Sequence, residues 1–161
     1  MEDKYLKSVE SIDSIIDTNY IILGGEQGEP RDWELYKFLF HPDGRLIRYE
    51  KSLTDGVLRP QFLTVDDYIN TTGKWLDSGR KSAFYENEAH KEVHAFGNIA
   101  QVFSTYQSFN SKEEMAENKI HARGINSFQL LFDEDRWWIL NLFWARETPE
   151  LPIPDKFLGK L

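Results

Sequence analysis

The sequence predicts an α+β fold in which N-terminal helices cover one face of an antiparallel sheet. In the first half of the chain, apolar residues recur at intervals of three and four, the spacing of amphipathic helices. In the second half, β-branched and aromatic runs alternate with turn residues, as consecutive strands do. We therefore expect a single domain over residues 1–161, with a proline-containing C-terminal tail from about residue 148.

Three helices are predicted before the long strands. The first runs from Lys4 to Leu23, and the second begins after the capping residue Asp32. The third spans about Val65 to Leu76 and begins with the spacing of a capping box, Thr64-Val65-Asp66-Asp67. Two short strands, Arg45 to Lys51 and Val57 to Phe62, separate the second helix from the third.

Four long strands are predicted in the second half. They are Phe84 to Phe96, Ile99 to Phe109, Ile120 to Phe132 and Arg136 to Trp144. Gly97-Asn98 suits a two-residue hairpin turn, and Asp133-Glu134-Asp135 suits a three-residue one. Residues 111–119 are predicted to form a charged loop.

Composition excludes several functions. The net charge of -8 opposes a phosphate backbone, so no nucleic-acid partner is expected. The chain has no cysteine, which removes disulfides and thiolate chemistry. Its apolar runs are too short for a membrane span, and its charged N-terminal segment is unlike a signal peptide. We therefore expect a cytoplasmic protein with no membrane partner and no cofactor.

Four local phrases carry a resemblance that covers nearly the whole chain. They are residues 39–46 after the second helix, 96–102 at the hairpin, 124–130 and 136–139. The chain resembles the nuclear transport factor 2-like superfamily, which includes ketosteroid isomerases, scytalone dehydratase, polyketide cyclases of the SnoaL-like type and many members without assigned activity. The resemblance implies a cone, with three N-terminal helices packed on a curved antiparallel sheet. It also implies an apolar pocket for a small apolar or aromatic molecule, and a convex face that often forms a homodimer.

The hairpin register predicts which side chains face the pocket. With Gly97-Asn98 as the turn, alternation places Tyr85, Ser104 and Tyr106 on one sheet face, beside small apolar residues. That face suits the concave surface, where phenols and hydroxyls orient a ligand in an apolar cavity. The alternative is that these are core residues with ordinary hydrogen bonds.

The opposite face of the same hairpin is predicted to be half-solvated or to face another subunit. It carries Glu86, Glu88, His90 and His94. The two histidines are four residues apart on a strand, which separates them by about 13 Å, too far for both to ligate one ion. No metal site is expected.

The candidate pocket residues are polar or aromatic positions in otherwise apolar elements. They are Tyr49, Tyr68, Tyr85, Ser104, Tyr106, Arg123, Gln129 and Asn141. Alternation places Arg123 and Gln129 on one face of their strand and Asn126 on the other, so these three cannot all line one pocket.

No catalytic residue is identified from the sequence. The run His41-Pro42-Asp43-Gly44-Arg45 contains possible acid–base groups, but Pro-Asp-Gly is also turn chemistry. Asp66 and Asp67 suit helix capping better than catalysis. At the place where scytalone dehydratase-like relatives have an Asp-Tyr pair, this chain has Arg48-Tyr49, so the acid is missing. A carboxylate and donor pair of the ketosteroid isomerase type cannot be placed.

Two functions stay open at the level of sequence. The first is a small-molecule site, with or without lyase, isomerase or cyclase chemistry by general acid–base catalysis. The second is a non-catalytic dimeric binding or accessory module. In that module, the convex face with Phe103, Thr105, Phe109 and the last strand would pack against a partner subunit. The sequence does not decide whether the protein is an enzyme.

Overall fold

The computed structural model describes residues 3–52 and 54–160. The helices are α1 (Asp3–Lys7), α2 (Ile12–Leu23), α3 (Trp33–Leu39), α4 (Val65–Tyr68) and α5 (Lys112–Ala116). The strands are β1 (Phe40–Lys51), β2 (Leu58–Thr64), β3 (Tyr85–Phe96), β4 (Ile99–Phe109), β5 (Ala122–Asp133) and β6 (Arg136–Arg146). Helix α4 continues through π-helical turns at Ile69–Gly73 and Trp75–Gly79, and a 3-10 turn at Asp155–Leu158 lies in the C-terminal tail.

The first predicted helix is in fact two helices. Ser11 interrupts it because the Ser11 side chain accepts a hydrogen bond from the backbone N–H of Ser14 and starts α2 with a capping box. The other two predicted helix starts are confirmed. Asp32 accepts from the N–H of Leu35, and the Thr64 side chain caps the first turn of α4.

The six strands form one mixed sheet in the order β2-β1-β6-β5-β4-β3. Every neighbouring pair is antiparallel except β1 and β6, which pair in parallel with Leu46 opposite Leu142. The α+β class is confirmed, but the purely antiparallel sheet is wrong at this pair. The strand after α3 inserts between its own hairpin partner β2 and the last strand, and there it runs in the same direction as β6.

Turn chemistry explains one hairpin fully and another in part. The Gly97-Asn98 turn is confirmed, because Phe96 pairs with Ile99 and Gly97 has φ 55°. The predicted three-residue turn at 133–135 has two residues, since Asp133 itself pairs with Arg136. The two turn residues have φ values of 51° and 60°, the left-handed backbone that a tight hairpin requires.

The core lies between α2 and α3 and the inner face of the sheet, which is the face these helices cover. Side chains with at most 2% exposure include Ile15, Ile16, Tyr36, Leu39, Leu46, Val102, Phe128, Leu130 and Ile139. This packing fixes the helices over β1, β6, β5 and β4. No helix in the described residues is long and apolar enough to cross a membrane.

The C-terminal tail packs on the outer face of the sheet. The Phe157 ring lies 5.0 Å from the Phe103 ring, and the Thr105 hydroxyl donates to the carbonyl of Phe157. Phe109 is fully buried within the chain. Phe103 and Thr105, which the sequence suggested for a subunit contact, are therefore covered by their own tail.

Candidate functional site

A cavity of about 660 Å³ opens between the helices and the inner face of the sheet. Its volume is within the roughly 300–1,000 Å³ typical of small-molecule sites. The π-helical turns after α4 bring Thr71 and Trp75 to the exposed mouth, where Trp75 is 48% exposed. Trp33 packs against Gly73 and Tyr36 instead of filling the space.

A β-bulge at Ala89 decides which residues of β3 face this cavity. Glu88 pairs with Tyr106, but His90 pairs with Thr105, which leaves Ala89 without a partner. An unpaired residue reverses the alternation of side chains, so strict alternation fails on the N-terminal side of the bulge. The prediction that Glu86 and Glu88 lie on the outer face is wrong, since both lie on the inner face.

Glu86 lines the cavity and is half-buried among the residues of its wall. Burial raises the pKa of Glu86 to about 8, because the charged carboxylate loses contact with water. In residues 3–52 and 54–160, no basic side chain forms an ion pair with it. A carboxyl group with this pKa is mostly protonated at neutral pH and can both donate and accept a proton there.

Four tyrosines surround Glu86. Burial is the largest cause that raises the pKa of Tyr20, Tyr36, Tyr68 and Tyr106, and the negative charge of Glu86 raises each pKa further. All four phenols therefore stay protonated and lie close enough to feel the carboxylate. The Tyr36 and Tyr68 rings stack, with centroids 5.6 Å apart. The site combines one carboxyl with several hydrogen-bond donors.

The position of the Tyr106 ring depends on a glycine in the next strand. Gly124 lies opposite Tyr106 in the β4–β5 pair. A Cβ atom at position 124 would lie 2.6 Å from Tyr106 Cζ, which no real Cβ contact allows. The missing side chain lets the phenol lie across β5 and reach the cavity.

A chain of hydrogen bonds underlies the cavity. The Ser104 hydroxyl donates to Glu88, so the Tyr20 hydroxyl, 2.7 Å away, donates to Ser104 Oγ. Asn126 Nδ2 then donates to the Tyr20 oxygen at 3.0 Å. At the other end of the chain of hydrogen bonds, Glu88 forms an ion pair with Lys91. This order of donors fixes the Asn126 amide at the cavity wall and leaves its Oδ1 as an acceptor.

Asn19 presents a second acceptor. It lines the cavity, is 1% exposed, and its Oδ1 has no hydrogen-bond partner among the described residues. A buried polar atom without a partner costs free energy unless water or a ligand satisfies it. The cavity therefore offers amide acceptors as well as phenol donors.

Three arginines complete the wall. Arg48 donates to Gln61 Oε1 at 2.9 Å and to Thr72 Oγ1 at 3.2 Å, which holds it in place. Arg80 donates to Asn110 Oδ1 at 2.6 Å. Arg146 is exposed at the mouth.

The structure brings some of the sequence candidates to this site. Tyr68 and Tyr106 line the cavity, and so does Asn126. Ser104 lies beneath the wall, where it is fully buried and bonded to Tyr20.

The other candidates lie outside the cavity. They are Tyr49, Tyr85, Arg123, Gln129 and Asn141. The bulge turns Tyr85 outward, where its hydroxyl donates to Glu26 at 2.5 Å. Arg123 pairs with Glu147 on the outer face. Tyr49 is 43% exposed, and Gln129 is exposed opposite Asn141.

Sequence reasoning missed Glu86 and Asn19. A signal existed for Asn19, because it lies among the buried apolar positions of α2 and a polar residue there needs a partner. No local signal marks Glu86, since its position depends on the bulge.

The residues considered for acid–base and metal chemistry have structural roles. His41 Nδ1 accepts from the N–H of Asp43 at 3.1 Å, and Arg45 donates to the carbonyl of Asp43 at 2.8 Å. The turn predicted at Pro42-Asp43-Gly44 is absent, because the segment belongs to β1 and only its pairing with β6 is irregular between Phe40 and Arg45. It borders a second groove of about 580 Å³. Asp67 is part of the α4 cap, as expected, and Asp66 pairs with Lys37. The described ranges contain no group of three His, Asp or Glu residues that could hold a metal ion.

Comparison with known proteins identifies the fold. No protein-family model matches the chain, and no curated protein matches it. Solved structures do match. A protein of unknown function with a cystatin-like fold from Nostoc punctiforme is 14% identical, with a TM-score of 0.60, covering 88% of this chain and 91% of that one. An NTF-2-like protein of unknown function from Silicibacter pomeroyi is 12% identical, with a TM-score of 0.55, covering 84% and 92%.

A third similar structure comes from Xanthomonas campestris. It is a candidate calcium/calmodulin-dependent protein kinase II association domain, 14% identical, with a TM-score of 0.58, covering 86% of each chain. These likenesses confirm the fold that the sequence phrases suggested. At such low identity they show the fold alone.

Proposed function

We propose that this chain, a protein of the nuclear transport factor 2-like fold, binds a small apolar or aromatic molecule in the Glu86 cavity and transfers a proton on it. One observation carries the proposal: a carboxyl group with its pKa raised to about 8 lines a cavity that opens to solvent at one mouth, and four phenols lie near it. Such a group can serve as a general acid or base near neutral pH.

The reaction class that fits is proton abstraction next to a carbonyl group, as in a lyase, isomerase or cyclase. The ionised Glu86 carboxylate removes a proton from carbon, and the electron pair moves onto the carbonyl oxygen. Tyr68 or Tyr106 then donates a hydrogen bond to the negative oxygen that forms. Returning the proton to another carbon or expelling a leaving group completes the reaction.

A ligand screen followed by isotope exchange tests this proposal. Aromatic and apolar ketones are screened by the shift of the melting temperature, since a ligand of the native state raises it. For each hit, NMR in D2O follows exchange of the proton next to the carbonyl. We expect exchange in the wild type, a rate that rises with pH through about 8 as Glu86 ionises, and loss of exchange in Glu86→Gln with binding retained.

The matched control is Glu92→Gln, on the same strand but on the outer face opposite Phe103. It should leave exchange unchanged. Exchange that persists in Glu86→Gln would contradict the proton-transfer role. A panel without any binder would contradict the small-molecule site itself.

A second candidate function, a homodimeric binding module, is favoured by an exposed apolar row on the outer face. Phe62 is 69% exposed and Phe143 is 41% exposed, and both pair with Ile47 between them. This row lies on β2, β1 and β6, away from the tail. One similar structure is a candidate association domain, which supports assembly. The module and the ligand site are compatible.

Sedimentation at micromolar concentration tests the homodimer. We expect a wild-type dimer that Phe143→Asp dissociates, because a charge in an apolar contact loses its hydration. Phe96→Asp is the control, since Phe96 is 84% exposed at the hairpin tip. A wild-type monomer would contradict this second function.

A further inference from the structure

The cavity is positively charged although the chain is acidic. The net charge of the protein is -8, yet the lining contains Arg48, Arg80 and Arg146. Glu50 and Glu86 are the carboxyl groups among the lining residues, and Glu86 is largely neutral at pH 7. Three guanidinium groups therefore line the cavity with two carboxyl groups, and burial favours the neutral form of one of these, Glu86. A local charge opposite in sign to the whole protein attracts a ligand of the opposite charge.

The three residues, called here the arginine cluster, line the same cavity from separate elements. Arg48 lies beside Trp144 in the parallel β1–β6 pair, and Arg146 follows two residues later on the same face. Arg80 comes from the end of the helical segment, with its guanidinium carbon 5.1 Å from the centroid of the Trp75 ring. The cluster thus lies next to aromatic walls.

Two arginines of the cluster also lower the pKa of cavity tyrosines through their charge. The charge of Arg48 partly offsets the raised pKa of Tyr68, and that of Arg146 partly offsets the raised pKa of Tyr106. In both cases, burial remains the dominant cause. Arg48 and Arg146 are therefore near the phenols that line the same space.

The positive charges of the cluster lack carboxylate partners. Arg48 and Arg80 bond neutral side chains or carbonyls. Across the described parts of the chain, Arg146 has no hydrogen bond or ion pair. Arg123, by comparison, pairs with Glu147 on the outer face. The guanidinium charge of Arg123 is therefore paired, whereas the charges of the cluster are not.

We propose that the ligand is an aromatic carboxylic acid whose carboxylate binds the arginine cluster and whose ring lies against Trp75 and Trp144. This deepens the function proposed above and rests on it. Planar guanidinium groups pair with a carboxylate through two parallel hydrogen bonds, which a neutral alcohol cannot form. The apolar wall takes the rest of the molecule.

Matched pairs of ligands separate charge recognition from cavity binding. The pairs are 2-naphthoate with 2-naphthylmethanol and indole-3-acetate with tryptophol, measured by isothermal titration calorimetry at low and moderate salt. We expect each acid to bind at least about tenfold more tightly than its alcohol, and salt to weaken only the acid. Arg48→Gln and Arg146→Gln should each weaken the acid about tenfold and leave the alcohol unchanged.

Arg59→Gln is the control, because Arg59 is a surface residue of β2 that pairs with Asp55. Melting temperatures verify that each variant folds. If Arg48→Gln fails to fold, Arg146→Gln still tests the proposal, because the Arg146 side chain is exposed and its change should not affect folding. Equal affinity for acid and alcohol would contradict the proposal that the ligand is a carboxylic acid. It would still support the cavity as a small-molecule site. Arginine variants that weaken both ligands equally would also contradict the carboxylic acid ligand. Absence of binding by all four probes would contradict both proposals.

Discussion

At the scale of single residues, Glu86 connects the chemistry of the site with the stability of the protein. Its pKa is about 8 in the folded state and 4.5 as a free group. The native state therefore holds a proton that the unfolded state has lost between these two pH values. Stability must fall as the pH rises through this window and level off above it.

The first prediction follows from that sign. Wild type should lose up to about 5 kcal/mol of unfolding free energy between pH 4.5 and 8 through this group, because each pKa unit is worth about 1.4 kcal/mol. Glu86→Gln keeps the shape without the charge. It should match wild type near pH 4.5 and be clearly more stable at pH 9.

Urea unfolding at several pH values measures this difference. Taking the difference between the two proteins removes the titration of the histidines and other carboxylates. Glu92→Gln should follow wild type throughout. A Glu86→Gln protein that is equally stable to wild type at pH 9 would mean that Glu86 is ionised without cost.

Tyr20 gives the second prediction. Its hydroxyl accepts from Asn126 and donates to Ser104, so Tyr20→Phe leaves a buried amide N–H without an acceptor. We expect a loss of roughly 1–3 kcal/mol in the free energy of unfolding, measured in urea. Tyr49→Phe, at a side chain that is 43% exposed, is the comparison and should have little effect. Equal effects of the two changes would contradict the buried chain.

At the scale of elements, local turn chemistry could be predicted and strand irregularity could not. Gly97 and Asn98 predict their hairpin, because few residue types adopt the backbone conformation that the turn needs. The bulge at Ala89 has no such mark, since alanine fits either a regular or a bulged strand. The register on either side of it is set by packing on α2 and β4.

The parallel pairing of β1 and β6 was also beyond local sequence. These strands are about 100 residues apart in the chain, and periodicity reports only on the segment that contains it. Part of the prediction of the candidate site was wrong for the same reason. Tyr68 and Tyr106 were placed correctly on a helix face and on a regular strand, whereas Tyr85 lay beyond the bulge.

Arg31 joins several elements and gives the third prediction. It is 7% exposed and donates to the carbonyls of Leu23 at 3.2 Å, Gly25 at 3.1 Å and Leu76 at 2.9 Å. A lysine has one nitrogen and cannot reach all of these acceptors. Arg31→Lys should therefore cost roughly 2–4 kcal/mol.

Urea unfolding again measures the cost. The matched change is Arg59→Lys, at a surface ion pair whose loss should cost under about 1 kcal/mol. If Arg31→Lys cost no more than Arg59→Lys, the guanidinium would not be holding the end of α2 against the helical segment after α4.

At the scale of the whole molecule, the tail determines which part of the outer face is open. The chain covers β4 with Phe157 and leaves the row around Phe143 exposed. The general shape and the order of helices and strands followed from the sequence. The position of the tail did not, because a proline-containing segment without periodicity gives no register.

The fourth prediction concerns this tail. Phe157→Ala should lower the free energy of unfolding by roughly 1–3 kcal/mol, because it removes the ring that packs on Phe103. Hydrogen exchange at the backbone of β4 near Thr105 should become faster. Leu151→Ala, at a tail side chain that is 63% exposed, is the control. Unchanged exchange at β4 would mean that the tail adds no protection.

The bulge makes the side of the sheet that Glu86 faces depend on the number of residues in β3. Deleting the single codon for Ala89 would restore regular pairing and exchange the sides of its N-terminal neighbours. Tyr85 would then point inward and Glu86 would reach water. Deleting one residue that does not line the cavity would thus remove its acid–base group and leave the arginines in place.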